Sequence, residues 1–270
     1  DQTVRLWNRN GEILATLTAL ETVVWGVAFD PQGQLLAASN IGGEIAIWTP
    51  DGNLVKKFAP HAAPIWNVEI ASLEIEGTRE TVVVSASGDG TVKLSRLDGT
   101  LLNTLEGHRA EVFETSVNST SNMIASSSGD RTIRVWKPDG TLLQVLRGHR
   151  SAIRGLSFLG DTSVLVSGSD DNSSRLWTLN NPLVKVLRGH QGTIWDVDFR
   201  DDGRYFLSVA DDAKVWSPEG QLLTSISDET SSLMGATFLD RNFTSSEPLL
   251  KPTETPLLIV GSRTGAILFI

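Results

Sequence analysis

A motif that ends in tryptophan recurs along this chain about every 41 residues, and it constrains the fold more than any other feature. Short β-rich segments lead to Trp7, Trp48, Trp136, Trp177 and Trp216. A further copy lies between the second and third of these and has Ser95 at the tryptophan position, and a seventh copy ends at Phe269. Self-similarity at such a period is typical of repeat architectures, in which each copy is one structural unit.

Each repeat also carries the signals of short strands joined by tight turns. Four positions after the tryptophan position comes a turn residue, usually preceded by Asn or Asp: Gly11, Gly52, Gly99, Gly140, Asn181 and Gly220. Such pairs favour the left-handed backbone of hairpin turns. Runs rich in Val, Phe and Trp, such as 25–29 and 194–199, come earlier in the repeats. The pattern predicts four antiparallel strands per repeat and no helix of ten residues or more.

Gly-His pairs at 107–108, 148–149 and 189–190 share the period, and each is followed by Ser-x-x-x-Asp and then by the tryptophan. This pattern resembles the WD40 repeat family over essentially the whole chain. The resemblance implies an all-β fold, a β-propeller of four-stranded antiparallel blades, with five complete and two partial blades of a truncated seven-blade type. The Asp-Gly-Thr-Leu-Leu segment before Gly-His is similar to bacterial WD40 arrays attached to signalling domains. The resemblance therefore also implies that further domains or repeats are attached in the full-length chain.

We expect a single propeller domain over residues 1–270. A partial blade at 1–17 supplies third and fourth strands, full blades cover 18–58, 59–105, 106–146, 147–187 and 188–226, and a partial blade at 227–270 supplies three strands. An open ring leaves sheet edges unpaired, so this count predicts a segment of a longer polypeptide. Extra residues at 71–80 and 239–256 fall between first and second strands, and we interpret them as surface loops.

His, Ser and Asp recur at constant spacing, and the resemblance implies that they join the tryptophan in a buried hydrogen-bonded tetrad that holds each blade together. The predicted structural tetrads are His108, Ser126, Asp130 and Trp136; His149, Ser167, Asp171 and Trp177; and His190, Ser208, Asp212 and Trp216. A catalytic triad needs one exposed serine beside a base and an oxyanion hole, whereas a set repeated in several blades indicates architecture.

Departures from the pattern bear on this interpretation. The first full blade has Leu20, Ala38 and Gly42 at the three polar positions, and joint loss is what a cooperative buried network predicts. The second blade keeps all three polar residues but has Ser95 for tryptophan, so we expect its tetrad to be weaker. The blade that ends at Trp216 is two residues shorter after its Asp, which leaves its geometry open.

Three positions in each blade are left free by the repeat, and the resemblance places them on the top rim of the central channel. They are the third and fifth residues after the His position and the residue before the Asp; we call them the rim positions. The predicted partner-binding residues are Trp25, Trp66, Phe113, Arg154, Trp195 and Met234 at the fifth position, together with Val23, Ile41, Pro64, Glu111, Asp170 and Asp211. Trp and Arg dominate binding hot spots. The alternative is that the fifth-position side chains only pack between blades.

Composition narrows the classes of function. The 270 residues carry a net charge of -9 and include no cysteine. These values disfavour nucleic-acid binding and exclude Cys-based zinc sites and thiol nucleophiles. No apolar run approaches the roughly 18 residues that span a bilayer, and the four histidines fall in separate blades, so we predict no metal and no cofactor. We therefore predict a cytoplasmic, non-catalytic scaffold that binds proteins or peptides on its top face, and neither nucleic acid nor membrane. The alternative is an enzyme or small-ligand propeller that uses the central channel.

Overall fold

The structure is a computed structural model of the chain. It describes residues 2–8, 11–160, 162–179, 181–200, 202–227, 233–238, 258–262 and 267–269, with the backbone alone at 181–183, 258–262 and 267–269. The chain divides into two compact units, residues 1–153 and residues 154–270. All regular secondary structure in these described ranges is β-strand, as the sequence predicts.

The first unit contains one two-stranded sheet and three four-stranded sheets among its described residues. Strands follow one another in chain order within each sheet and pair antiparallel. The sheets comprise β1 (Val4–Trp7) and β2 (Ile13–Leu17); β3 (Val24–Phe29), β4 (Leu36–Asn40), β5 (Ile45–Trp48) and β6 (Leu54–Phe58); β7 (Ile65–Ile75), β8 (Thr78–Ser87), β9 (Val92–Arg96) and β10 (Leu101–Leu105); and β11 (Val112–Asn118), β12 (Met123–Ser128), β13 (Thr132–Trp136) and β14 (Leu142–Arg147).

The described part of the second unit contains two four-stranded sheets and one three-stranded sheet with the same chain-order topology. They comprise β15 (Ile153–Phe158), whose first residue is the last of the first unit, β16 (Val164–Ser169), β17 (Ser173–Thr178) and β18 (Asn181–Arg188); β19 (Asp196–Phe199), β20 (Phe206–Val209), β21 (Asp212–Trp216) and β22 (Leu222–Ser227); and β23 (Leu233–Phe238), β24 (Leu258–Ser262) and β25 (Ile267–Phe269). The strand counts of the seven sheets match the five complete and two partial blades predicted from the repeat.

The glycines that the sequence predicts as turn residues lie in turns of the structure. Gly52 and Gly140 have φ of 93° and 90° in the turns between third and fourth strands, a conformation that glycine adopts without steric cost. Asn181 is an exception, because β18 begins at this residue rather than after it.

Burial follows the position of a strand within its sheet. Every residue of β4 and of β5 is buried, because apolar side chains on both faces pack against other sheets. The fourth strand β6 is largely exposed. The first strands differ among sheets: β3 alternates between half-buried and exposed residues, whereas β11 and β15 contain only buried and half-buried ones.

The interpretation of residues 71–80 as a surface loop is wrong. They extend β7 and β8 into a long hairpin closed by Glu76 and Gly77, whose φ values of 51° and 81° suit a two-residue turn. Leu73 is fully buried in this extension and joins the core between this sheet and the next. Apolar contact with the neighbouring sheet therefore orders what would otherwise be a loop. Residues 239–256 lie outside the described residues.

One face of β3 is apolar and open to solvent. Val27 and Phe29 are 57% and 51% exposed. The residues in the same repeat positions of β7, Val68 and Ile70, are 1% and 4% exposed because they pack against the β3–β6 sheet. The two strands share the same pattern, so the difference lies in what covers each face.

Candidate functional site

Four predicted tetrad residues of the first unit form one hydrogen-bond chain. His108 Nδ1 lies 2.9 Å from Asp130 Oδ2 and His108 Nε2 lies 2.8 Å from Ser126 Oγ. Trp136 Nε1 donates to the same Ser126 Oγ at 2.9 Å. Burial raises the pKa of Asp130, but hydrogen bonds from His108, Thr132 and the Arg109 amide outweigh it and hold that pKa well below its usual range.

Ionised Asp130 can only accept, so the proton sits on His108 Nδ1 and the Ser126 hydroxyl donates to Nε2. The hydroxyl oxygen in turn accepts the indole N–H. Ser126 is fully buried, which leaves its oxygen no access to a substrate. The chemistry resembles a triad, but the serine has both of its partners inside the protein.

The blade that ends at Trp216 also forms its tetrad, although it is two residues shorter after its Asp. In the second unit His190 Nε2 lies 2.6 Å from Ser208 Oγ, and Trp216 Nε1 donates to that oxygen at 2.8 Å. His190 Nδ1 pairs with Asp212 Oδ1, and Lys214 donates to the other carboxylate oxygen at 2.6 Å. Burial lowers the pKa of His190 below its ordinary value.

The third predicted tetrad, that of His149, contains the same hydrogen bond from indole to serine. Trp177 Nε1 donates to Ser167 Oγ at 2.8 Å, and Asp171 accepts from Ser173; His149 is buried.

The second blade lacks a tryptophan in its hydrogen-bond chain. His61 bridges Asp89 and Ser85 at 2.7 and 2.9 Å. At the tryptophan position the hydroxyl of Ser95 is buried without a hydrogen-bond partner in the described structure. This chain therefore has one link fewer than the tetrad of His108, as the sequence predicts.

Three rim side chains of the first unit form an aromatic cluster, which we define as Trp25, Trp66 and Phe113. The Trp25 and Trp66 ring centroids are 5.2 Å apart in an edge-to-face arrangement, and those of Trp66 and Phe113 are 6.4 Å apart. Trp25 is 55% exposed, whereas Trp66 and Phe113 are half-buried. The rim residues Val23 and Ile41 are also exposed and are linked by a backbone hydrogen bond, Ile41 N to Val23 O.

Gly88, a rim position, marks where several groups of the first unit converge. A Cβ atom added to Gly88 would lie 3.3 Å from Trp66 Nε1, 3.3 Å from Glu111 Oε1 and 3.5 Å from Pro64 Cδ. Trp66 Nε1 is buried and has no hydrogen-bond partner in the part of the chain that the structure describes. Glu111 is exposed. The unpaired indole N–H of Trp66, the Glu111 carboxylate and the Pro64 ring thus surround one glycine.

The rim positions of the second unit hold a different arrangement. The guanidinium of Arg154 donates to Asp170 through Nε at 3.0 Å and Nη2 at 2.9 Å. The same guanidinium lies 5.7 Å from the ring centroid of Trp195, which is 37% exposed. Asp211 is exposed and Met234 is half-buried. Here a cation, a carboxylate and an indole already complement one another.

Sequence reasoning missed two carboxylates on the first strands. Thr115 Oγ1 lies 3.1 Å from Glu69 Oε1 and 2.7 Å from Asn67 Oδ1. Burial raises the pKa of Glu69 to about 7 and that of Asp196 to about 6. Asp196 has a sequence signal, because Asp196 and Asp198 alternate with apolar residues, whereas Glu69 stands between Asn67 and Ala71 at that spacing and has none.

Metal and membrane sites find no support among the described residues. No group of three or more His, Cys, Asp or Glu side chains there could hold a metal ion. No helix in that part of the chain has the length and apolarity that crossing a bilayer requires.

Comparisons with known proteins identify the repeat. The family model described as WD domain, G-beta repeat, matches residues 11–49, 99–137, 140–178 and 181–217, more than half of the chain. A search of curated proteins finds no match. Among solved structures, the chain is similar to the crystal structure of the WD40 beta propeller domain of Doa1, with a TM-score of 0.81 and 22% identity, over 100% of this chain and 86% of that chain. The predicted all-β propeller fold is thereby confirmed.

Proposed function

Because this chain belongs to the WD40 repeat family, we propose that it is a non-catalytic scaffold that binds protein or peptide partners through its rim positions. WD40 propellers typically bind proteins or peptides. We further propose that neither nucleic acid nor a membrane is a partner, since the net charge of -9 repels phosphate, and that the full-length chain carries further domains.

The aromatic cluster carries this proposal. Its three rings lie at positions that the repeat leaves free, and Trp25 is more than half exposed. Contiguous exposed apolar surface on a protein is associated with interaction sites. Trp is the residue most enriched at hot spots because a large rigid ring buries much area with little loss of entropy. Trp25 shares the open face of β3 with Val27 and Phe29, so the argument against packing between sheets alone comes from Trp195. Its ring remains 37% exposed although Val197 and Phe199, which follow it in the chain, are buried.

Burial of the serines argues against hydrolysis at the repeated His-Ser-Asp sets. Ser126 and Ser208 are fully buried, and each oxygen already accepts an indole N–H. A nucleophile must reach its substrate and leave room for an oxyanion hole. We therefore propose that the tetrads are structural. We also propose a cytoplasmic location, since a chain without cysteine suits a reducing compartment.

Peptides selected from a random displayed library on the 270-residue chain provide the test. We expect Trp66→Ala to weaken the selected peptides by about 2 kcal/mol or more, the hot-spot range. Its free energy of unfolding should change by less than the roughly 3–5 kcal/mol that follows truncation of a fully buried aromatic.

Trp7→Ala is the matched control, because this indole is 43% exposed but lies at the tryptophan position of β1 rather than on the rim. It should leave peptide affinity unchanged. The proposal fails if Trp66→Ala binds like the wild type, or if Trp66→Ala and Trp7→Ala weaken binding equally.

A further inference from the structure

Two apolar cores of this chain are built from residues at the same repeat positions. One lies between the β7–β10 and β11–β14 sheets of the first unit, and the other lies between the β15–β18 and β19–β22 sheets of the second. Val84 and Leu94 of the first core correspond to Val166 and Leu176 of the second. The two cores can therefore be compared position by position.

The first core has a component that the second lacks. Leu73 and Ile75, in the extension of β7, pack against it, and both Leu73 and the neighbouring Val82 are fully buried. The second unit has no such extension, because β15 ends at Phe158 and β16 begins at Val164. Val164 occupies the repeat position of Val82 but is only half-buried.

An apolar cleft of about 460 Å³ lies beside the second core, and we call it the second-unit cleft. Leu176 and Phe199 in its lining are buried, Leu159 and Val164 are half-buried, and Val184 is 38% exposed. These side chains expose apolar surface at positions whose counterparts in the first unit lie in the core that Leu73 completes.

We propose that the second-unit cleft binds an extended segment of a partner protein that has apolar side chains two residues apart. Leu73 and Ile75 have this spacing, and both pack against the corresponding core of the first unit. Alternate residues of a strand point to the same face, so one extended segment can place two apolar side chains in the cleft. None of the described lining residues is a rim residue, so this site goes beyond the proposed function and does not depend on it.

A segment of the chain itself provides the probe, which is added to the whole 270-residue protein. Acetyl-Ala-Ser-Leu-Glu-Ile-amide reproduces residues 71–75. Acetyl-Ala-Leu-Ile-Ser-Glu-amide has the same composition, but its two large apolar residues are adjacent. The methyl resonances of Val164, assigned by their absence in Val164→Ala, report binding. We expect the first peptide to shift them saturably with about tenfold higher affinity than the second, because adjacent residues of an extended segment point to opposite faces.

Val184→Asp should lower the affinity for the first peptide by about tenfold or more, since it places a charge against apolar side chains. Val186→Asp is the matched control. Val186 is also 38% exposed and lies on the same strand, but it does not line the cleft. It introduces the same charge and should bind the peptide like the wild type.

Equal affinity for the two peptides, no saturable shift, or the same affinity in Val184→Asp and Val186→Asp would each overturn the proposed site. The rim proposal has a separate readout. Trp66→Ala should weaken library peptides at the rim and leave the affinity for the residue 71–75 peptide unchanged, so either proposal can fail without the other.

Discussion

At the residue scale, His108 lies within a hydrogen-bond chain that runs from Asp130 through His108 and Ser126 to Trp136. His108 is the only one that contacts both the carboxylate and the hydroxyl. Removing the imidazole therefore takes one hydrogen bond from each of Asp130 and Ser126, although Asp130 keeps those from Thr132 and the Arg109 amide and Ser126 keeps that from Trp136. A buried polar group that loses a partner costs about 1–3 kcal/mol.

We expect His108→Ala to lower the free energy of unfolding by about 1–3 kcal/mol, measured by urea denaturation, and His149→Ala to behave alike. Arg109→Ala is the control, since only the backbone amide of Arg109 bonds to Asp130. A His108→Ala protein with unchanged unfolding that had lost an enzymatic activity would refute the structural role.

Glu69 gives stability a pH dependence of defined sign. Burial raises its pKa to about 7 in the folded protein, above the value of 4.5 for an exposed Glu. Protonation therefore favours the folded state. This contribution is fully present below about pH 4.5 and is lost as the pH rises through 7.

Glu69→Gln stays neutral at every pH and should gain stability relative to the wild type between pH 4.5 and 7, by up to a few kcal/mol at about 1.4 kcal/mol per pKa unit. Urea denaturation of both proteins at several pH values measures the difference. Glu74→Gln is the control variant, because it removes an exposed carboxylate of the same strand. A flat difference for Glu69→Gln would mean that its carboxylate is ionised in the fold.

Sequence reasoning reached the tetrads because their spacing repeats, but it did not reach Glu69. The tetrad residues bond to one another within a single repeat, so they recur at a constant sequence spacing, such as that between His108 and Asp130. The environment of Glu69 depends on Thr115, a residue of the next repeat, whose hydroxyl bonds to Glu69 from the neighbouring sheet. Nothing in the strand of Glu69 itself encodes that contact.

At the scale of elements, β3 has an exposed apolar face at positions where equivalent strands are covered by a neighbouring sheet. The equivalent residues on β19, Val197 and Phe199, are 3% and 5% exposed. They pack in one core cluster with Val166 and Leu176 of the preceding sheet, whose first strand also approaches closely, since a Cβ at Gly155 would lie 2.9 Å from the Val197 nitrogen. Val27 and Phe29 present the same residue types to solvent.

A second copy of residues 147–170 fused before residue 1 should therefore stabilise the chain. The copy supplies the first two strands of a blade in register with β1, and its Gly155 should lie beside Val27 of β3 as Gly155 lies beside Val197 of β19. We expect the melting temperature to rise by several degrees, because apolar area is buried and a sheet edge is paired. Tryptophan emission should shift to the blue as Trp25 becomes covered.

The same extension carrying Gly155→Val in the copied segment is the control, since a larger side chain cannot approach the neighbouring backbone as closely. It should give a smaller gain. Equal melting temperatures with and without the extension would contradict the idea that a strand pair belongs on β3.

Elements differed in how far sequence determined them. Turns were predictable, because Asp-Gly and Asn-Gly pairs specify their conformation locally, as at Gly52 and Gly140. The hairpin of β7 and β8 was not, because Leu73 is ordered by contact with the following sheet. A surface loop and a strand extension can have similar sequences. They differ in whether an apolar residue such as Leu73 packs against a neighbouring sheet.

At the scale of the whole molecule, two kinds of position differ in how they vary between repeats. The tetrad positions recur and the rim positions vary, and we propose that the first hold the sheets together and the second bind partners. The match to a fold shared by 1540 solved chains identifies the scaffold and not its partner, so partner chemistry must come from rim residues such as Trp66 and Glu111.

The difference between tetrad and rim positions is best tested with one selected peptide. Its affinity for His108→Ala and for Trp66→Ala is measured by titration calorimetry at a temperature where both variants are folded. We expect His108→Ala to bind like the wild type and Trp66→Ala to bind at least about 30-fold more weakly, equivalent to about 2 kcal/mol. The opposite order, with binding lost in His108→Ala and kept in Trp66→Ala, would contradict it.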